Sequence, residues 1–320
     1  MASLLIIGGS GFFGKSILDC YRRGLLNCFN ITAITVMARN ADKLLVDAPD
    51  LLHNSIRLLN ADIAKCTALP FADIVIHAAA STDERNYLAR AEEERVNIQA
   101  GTYNFCKLAL QFCKDAQIVY VSSGAAYGQQ PEGLAQLMEE FAFGPIDQLP
   151  SQKRDYAAAK RDGELAIQQL GKEGLRVSIA RCFAFLGEYL PRDQHFAIGN
   201  FIEDGLNRRP IVVKANHIVY RSYMYSDDLV LWLMAIVKNS SQACPIYNVG
   251  SDESISILEL ARKIGCYLNV DVNAPRVISR VVERYVPSIE KAKMSLGLSL
   301  KYDLEESIKL TILKIQSSFK

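Results

Sequence analysis

The sequence has no apolar run approaching the ~20 residues that a bilayer-spanning helix requires, so no membrane partner is expected. It has no basic stretch ahead of its first apolar segment. Met1-Ala2-Ser3 runs straight into Leu4-Leu5-Ile6-Ile7-Gly8-Gly9, which leaves no room for a signal peptide and points to a cytoplasmic protein. Neither sign of charge is in excess: the formal net charge is +1 over 320 residues, with 22% charged, so no nucleic-acid or anionic-surface partner is expected either. The eight cysteines (Cys20, Cys28, Cys66, Cys106, Cys113, Cys182, Cys244 and Cys266) form no Cys-x-x-Cys pair and have no histidine at metal spacing. No metal site is expected; Cys106 and Cys113 could share a helix face, and reduced, buried thiols packing as small hydrophobes fit best. Repeats, low-complexity segments and long linkers are missing as well. What the chain does have is bulk. At 320 residues, half of them hydrophobic, it has the makings of a large core in two domains, or in one domain with an elaborated lobe.

The first half alternates short apolar strands with helical patterns. Residues 3–7 read as a strand, and Gly8-Gly9-Ser10-Gly11-Phe12-Phe13-Gly14 follows at once, opening a helix over 15–23. Glycines at that point let the backbone turn tightly and approach a pyrophosphate, which the free N–H groups and positive dipole end of the helix then attract. The pattern therefore reads as a dinucleotide site. Residues 31–37 read as the second strand. It ends at Ala38-Arg39-Asn40, where a binder of the unphosphorylated cofactor would carry an acid for the ribose hydroxyls. Arg39 can pair with a 2′-phosphate, so NADP is favoured, with NAD still possible. Residues 56–59, 74–76 and 118–121 are further strands, and the last runs into Ser122-Ser123-Gly124-Ala125-Ala126-Tyr127-Gly128, at an edge where open α/β sheets bind ligands. Residues 84–114 carry a long helical pattern in which Val96, Tyr103 and Leu110 recur at heptad-like spacing and suggest a helix packed on the sheet.

Tyr156 and Lys160 lie four apart in a helical pattern over 151–170, with Ser151 in position to cap it. Such residues share a helix face. A fixed cation there favours phenolate and brings a tyrosine down from its ordinary pKa near 10, which suits Tyr156 to general acid/base work. Tyr103 and Lys107 have the same spacing, so spacing alone does not choose between the pairs.

In order, the motifs are the glycine loop, Asp62, His77-Ala78-Ala79-Ala80, Asn97, Ser123, Tyr156-x-x-x-Lys160, Arg181, Arg221-Ser222-Tyr223-Met224-Tyr225-Ser226-Asp227-Asp228-Leu229 and Tyr247-Asn248-Val249-Gly250. The set resembles the extended short-chain dehydrogenase/reductase superfamily, in its nucleotide-sugar epimerase/dehydratase branch, almost end to end. The resemblance places the catalytic pair after the serine strand and so selects Tyr156 and Lys160 over Tyr103 and Lys107. It implies a doubly wound parallel Rossmann sheet with a smaller interleaved α/β substrate lobe. The cofactor domain would span 1–181 plus about 215–250, and the lobe 182–214 and 251–320. It also implies that Tyr156 exchanges a proton with a sugar oxygen, Lys160 holds the nicotinamide ribose, Ser123 bonds the reacting oxygen with Ser122 beside it, and Asn97 supports the active-site helix. The cofactor would rest on Gly8, Ser10, Gly11, Phe12, Phe13, Gly14, Asp62, Ala78, Ala79, Ala80 and Lys160. Ser81, Ser122, Ser123, His195, Phe196 and Arg221 would meet a nucleotide-diphosphate sugar, with Arg221 on its diphosphate. A homodimer through the helices over 84–114 and 151–170 is the family's habit.

Departures from the family narrow the reaction. Dehydratases of this branch follow the serine/threonine position with Asp-Glu; here Gly124-Ala125 stands there. The decarboxylase's glutamate is missing, no Cys or His stands in the serine loop for 3,5-epimerisation, and Ala184 replaces the usual Asn. What is left is redox at C4 of the sugar, by a 4-ketoreductase using free NADPH or by a 4-epimerase with tightly bound NAD. A non-catalytic dinucleotide sensor or scaffold on the same fold is a third reading. In the second half, 175–180, 210–214, 219–224 and 245–249 read as strands, and 198–207, 227–238, 257–264, 288–296 and 304–314 as helices. Trp232 reads as core, and the basic, β-branched stretch over 276–286 as a segment closing over the nucleotide, with Arg280 and Arg284 the basic groups in it.

Overall fold

Ala2–Ile7 forms β1, a strand fully buried from Leu4 onward, which is what a run of Leu and Ile with no polar alternation demands of the centre of a parallel sheet. The computed structural model describes residues 1–80, 84–147, 149–192, 194 and 196–317, with side-chain detail everywhere in them except at 84–89 and 152. From β1 the chain alternates: α1 (Phe12–Arg22), β2 (Ile31–Ala38), the short α2 (Leu44–Asp47), β3 (Ile56–Asn60), β4 (Ile74–His77), α3 (Glu84–Phe112), β5 (Gln117–Ser123), α4 (Ser151–Lys172) and β6 (Arg176–Cys182). Then come β7 (Phe185–Leu186), α5 (Ala197–Leu206), β8 (Ile211–Val212), β9 (Ile218–Arg221), β10 (Met224–Tyr225), α6 (Ser226–Lys238) and β11 (Ile246–Val249). The chain continues through β12 (Ile255–Ser256), α7 (Ile257–Leu268), β13 (Val272–Asn273), β14 (Val282–Tyr285), α8 (Glu290–Leu296) and α9 (Leu304–Ser317).

Seven strands make one parallel sheet in the order β11-β6-β5-β4-β1-β2-β3. The order reverses between β1 and β4, and at such a switch point the two loops diverge and leave a crevice. On one face, α1 and α6 supply Ile17, Leu18, Leu229, Trp232 and Leu233; on the other, α3 and α4 supply Phe105, Leu108, Ile167 and Leu170. A third apolar cluster, with Ile198, Phe201, Ile202, Leu260, Ile264, Ile308 and Ile312, fills the lobe built from α5, α7, α9 and the short strands. This is the α/β doubly wound architecture with a smaller lobe.

Several local expectations are corrected. The stretch over 219–224 is two strands: β9 pairs with β12 and β14, while β10 pairs with β7. The α3 segment is two helices meeting at Arg90, whose backbone is not helical (φ −150°, ψ 51°). Val96 and Tyr103 do not pack on the sheet; both are about half exposed, and the residues that face inward are Ile98, Phe105, Leu108 and Ala109. Pro150, not Ser151, occupies the N-cap position of α4 and presets φ at −50°. Ser256 caps α7 in a reciprocal box with Glu259. All eight cysteines are free; Cys20, Cys113, Cys182 and Cys244 are buried as expected, but Cys28 and Cys266 are exposed.

Gly14 sits where α1 passes over the end of β1, and a Cβ there would lie within 1.9 Å of the Gly9 carbonyl oxygen. Backbone cannot give way as a side chain can. Gly14→Ala is expected to lower stability by more than about 3 kcal/mol, whereas Gly133→Ala, with nothing within 4 Å of its Cβ, should be neutral or slightly stabilising; urea unfolding of the two variants checks the contrast.

Candidate active site

The crevice at the switch point is lined first by the glycine loop. Gly8 has φ +84°, and a Cβ there would come within 2.6 Å of the Ala79 backbone, so the loops after β1 and β4 touch only because a side chain is missing. A Cβ at Gly11 would meet nothing nearer than 3.8 Å. Gly11 is also the N-cap of α1, where no side chain accepts from the first turn and no acid stands in it. A helix end with free N–H groups, an open approach and no counter-charge of its own fits a pyrophosphate. Ser10, Phe12, Phe13, Ala78, Ala79 and Ala80 border the same crevice, half-buried. Phe12 and Phe13 pack their rings against Phe185. Asp62, half-buried after β3, accepts from the Ala64 N–H at 3.0 Å, so one of its oxygens shapes the turn. Arg39 is exposed at the end of β2 and makes no ion pair among the described residues.

On α4, residues 156, 160 and 164 follow one another at helical spacing on the sheet side. Lys160 is 2% exposed and donates to the Val121 carbonyl at 2.8 Å. Its ammonium lies 5.7 Å from the Tyr156 ring centre and 5.2 Å from that of Tyr120. Burial brings the Lys160 amine down to about 8, against which Cys182 and Glu164 act. His77, beneath it at the end of β4, is buried with neither ring nitrogen hydrogen-bonded; burial and the Lys160 charge push it down to about 3, so it is neutral. Tyr103 and Lys107, by contrast, lie on the exposed side of α3. The structure separates the two equally spaced pairs by burial.

Glu164 anchors the helix. Its carboxylate accepts from Arg181 Nε at 3.0 Å and Nη2 at 2.7 Å, and from Ser122 Oγ at 2.5 Å. Arg181 also donates to the Glu139 carbonyl at 3.1 Å and stacks on Tyr127 and Phe143. Ser122 is therefore buried in this network. Ser123 accepts from the Ala125 N–H at 3.1 Å, and its Oγ lies 3.4 Å from the Tyr285 hydroxyl, delivered by β14. Burial pushes the Tyr285 phenol up to about 12, so it stays protonated. A Cβ at Gly124 would meet the Phe183 ring at 2.7 Å and the Tyr285 hydroxyl at 2.8 Å. A side chain at that position would have to displace both rings.

Asn97 is exposed on α3. Its neighbours meet α4: Ile98 packs against Ala159, Gln99 donates to Asp162 at 2.5 Å, and Arg95 lies near Asp155 and Asp162. Arg221, on β9, holds Glu283 at 2.5 Å. Phe196 precedes α5 and packs against the lobe's core. Ser81 and His195 lie outside the described residues. Arg284 stacks over Tyr220 at 4.1 Å, and Arg280 lies on the strap before β14. Glu164 and Tyr285 were not singled out from the sequence. Glu164 had a signal, since it stands one turn beyond Lys160 on the same face; Tyr285 had none beyond its place in the basic strap.

The sequence pattern of the NAD dependent epimerase/dehydratase family matches residues 4–250. The chain belongs to that family. Among curated relatives it is 26% identical over 316 residues to UDP-glucuronic acid decarboxylase 1 of Xenopus tropicalis, covering 97% of this chain and 71% of the relative. It is 24% identical to a putative UDP-glucose 4-epimerase of Methanocaldococcus jannaschii, with 97% of each chain covered. Its fold matches that of the UDP-N-acetylglucosamine 4-epimerase of Methanobrevibacter ruminantium at a TM-score of 0.83 and 20% identity, over 100% of this chain and 99% of that one. The dTDP-glucose 4,6-dehydratase of Streptomyces venezuelae, solved with NAD bound, matches at 0.78 and 20% identity, over 98% and 97% of the two chains. The family members whose chemistry is named are thus nicotinamide-dependent enzymes on nucleotide sugars. No helix among the described residues is long and apolar enough to cross a membrane, and no group of metal-ligating side chains occurs among them.

Burying Lys160 as a cation weighs against folding. With its amine near 8 in the fold and an ordinary value of 10.5 when unfolded, that cost is fully present below pH 8 and is relieved as pH rises towards 10.5. Lys160→Met is expected to stabilise the fold by roughly 1 to 3 kcal/mol at pH 7, with the gain shrinking by pH 10. Chemical denaturation at the two pH values measures both.

Proposed function

We propose that this protein is an oxidoreductase acting at C4 of a nucleotide-diphosphate sugar, most simply a 4-ketoreductase that uses NADPH. The observation that carries the reading is the pairing of the buried Lys160 ammonium with the Tyr156 ring, together with a serine loop that has no acid at 124–125. Redox at the sugar carbon needs one proton donor or acceptor and one cation to poise it. Elimination of water needs a further acid and base, and 124–125 offers neither.

When bound, the nicotinamide cofactor supplies or takes up the hydride. The chain's own residues do the rest. Lys160, fixed by the Val121 carbonyl, holds a positive charge against the Tyr156 ring, which favours the phenolate form. Tyr156 then passes a proton to the C4 oxygen in reduction, or takes one in oxidation. Ser123 has its oxygen held by the Ala125 N–H, and its hydroxyl would bond the reacting oxygen. The first turn of α1 and the open side of Gly11 take the pyrophosphate, and Arg221 takes the substrate's diphosphate. The proposed division of labour assigns 1–181 plus about 215–250 to the cofactor and 182–214 and 251–320 to the sugar nucleotide. Val96 and Tyr103 on α3 and Leu165 on α4, all more than half exposed, offer a face on which two copies would pair.

A 4-epimerase is the second reading, favoured by the likeness to proteins described as 4-epimerases across whole chains. The two are separated by the cofactor: an epimerase should be purified with NAD bound and convert a nucleotide sugar without added cofactor, whereas a reductase should consume NADPH stoichiometrically with a 4-keto sugar nucleotide. Under either reading Tyr156→Phe should bind cofactor as the parent does and lose about 100- to 10,000-fold in kcat. Turnover surviving in that variant would remove the proposed role.

Cofactor choice is tested separately at Arg39. Arg39→Ala should weaken NADPH binding about tenfold and leave NADH unchanged, the worth of one guanidinium–phosphate pair. Equal affinity of the parent for NADH and NADPH by fluorescence titration would reject the preference for the phosphorylated cofactor.

A further inference from the structure

Arg221 is already engaged. Its Nη2 donates to Glu283 Oε1 at 2.5 Å and its Nη1 to the Tyr220 carbonyl at 2.9 Å. The pair is built by neighbouring strands, since β14 runs parallel to β9 with Tyr285 opposite Arg221. Two more basic groups converge on the same carboxylate: His217 Nε2 at 3.5 Å from Oε2, and Lys153 Nζ at 3.8 Å from Oε1. Lys153 stands in the first turn of α4, three residues before Tyr156. Two segments thus bring three basic groups together beside the catalytic helix, and β14 sets one of the chain's own carboxylates among them. Burial pushes the Glu283 carboxyl up, but Arg221 and Lys153 outweigh it and hold the group below its ordinary value, so it is charged at neutral pH.

The pair is accessible. The Arg221 and Glu283 side chains are 22% and 30% exposed, so a solute can reach the guanidinium. An ion pair with that much solvent contact is weak and exchangeable, and a diphosphate offers the same fork of the guanidinium a partner with more charge.

We propose that Glu283 is the counter-ion that the substrate's diphosphate displaces. This rests on the reading of Arg221 as the diphosphate ligand. Before substrate binds, Glu283 holds Arg221 in place and offsets part of the positive charge around it. When the diphosphate arrives, Arg221 turns to it and Glu283 stays with Lys153 and His217. Every ligand that uses Arg221 must break the pair, so Glu283 lowers affinity for nucleoside diphosphates and aids their release. A ligand that does not reach Arg221 meets no such cost.

Calorimetric titration of UDP, dTDP, GDP and CDP into the full chain, Glu283→Gln, Arg221→Met and the double variant tests this. The nucleotide that binds the parent most tightly should bind Glu283→Gln about fivefold more tightly. In the Arg221→Met background the same change should alter binding by less than about twofold, because no pair is left to break. Glu283→Ser should show the same gain, which guards against a misfolded glutamine variant. Unchanged or weaker binding in the folded Glu283 variants overturns the proposal and leaves the diphosphate reading standing. So does a gain that persists without Arg221, since that would be a general charge effect. If Arg221→Met binds as tightly as the parent, the diphosphate reading falls and the proposal with it.

Discussion

The active-site helix is held where it is by one buried ion pair, Glu164 with Arg181. Both side chains are almost wholly out of solvent, at 2% and 6% exposed. Desolvating two charges is costly, and such a pair repays the cost only when every donor and acceptor is met. Here they are: the carboxylate also accepts from Ser122, and the guanidinium also donates to a backbone carbonyl and lies on two aromatic rings. The network joins α4 to β6 through Arg181 and to β5 through Ser122. It thereby sets the depth and rotation of the helix one turn from Lys160 and two from Tyr156. The chemistry needs those two groups fixed to a fraction of an ångström, and the pair provides the reference point.

The opposite wall is made by packing. Tyr285 lies against Phe183 with ring centres 4.7 Å apart and brings its hydroxyl to Ser123. The same two rings close the space over Gly124. One small residue therefore lets the strap carrying Tyr285 approach the serine loop, and a larger one would have to displace both rings. The sheet edge supplies position, α4 supplies charge, and β14 excludes alternatives.

Much of this was legible in the sequence. The unbroken apolar strands, the glycines after β1 and the serines after β5 announce a parallel sheet with a crevice at its carboxyl edge, because backbone geometry leaves few other uses for those residues there. The proposed catalytic pair, Tyr156 and Lys160, was legible only from the order of motifs, since Tyr103 and Lys107 have the same spacing and differ in burial. What stayed hidden depends on contacts between distant segments. Glu164 meets Arg181 across a helix–strand turn, Tyr285 meets Ser123 across 162 residues, and Glu283 meets Arg221 across 62. No local pattern encodes those meetings. Asn97 is exposed on α3, and Ile98 beside it packs against α4.

The claim underlying the whole reading is that hydride passes between the nicotinamide and C4 of the sugar. It is tested most directly by supplying cofactor that carries deuterium on the transferring face, with a 4-keto nucleotide sugar, and locating the label in the product by NMR. Deuterium at C4 of the sugar and at no other carbon is the expected result; product without deuterium, or with it at another carbon, would contradict the reading.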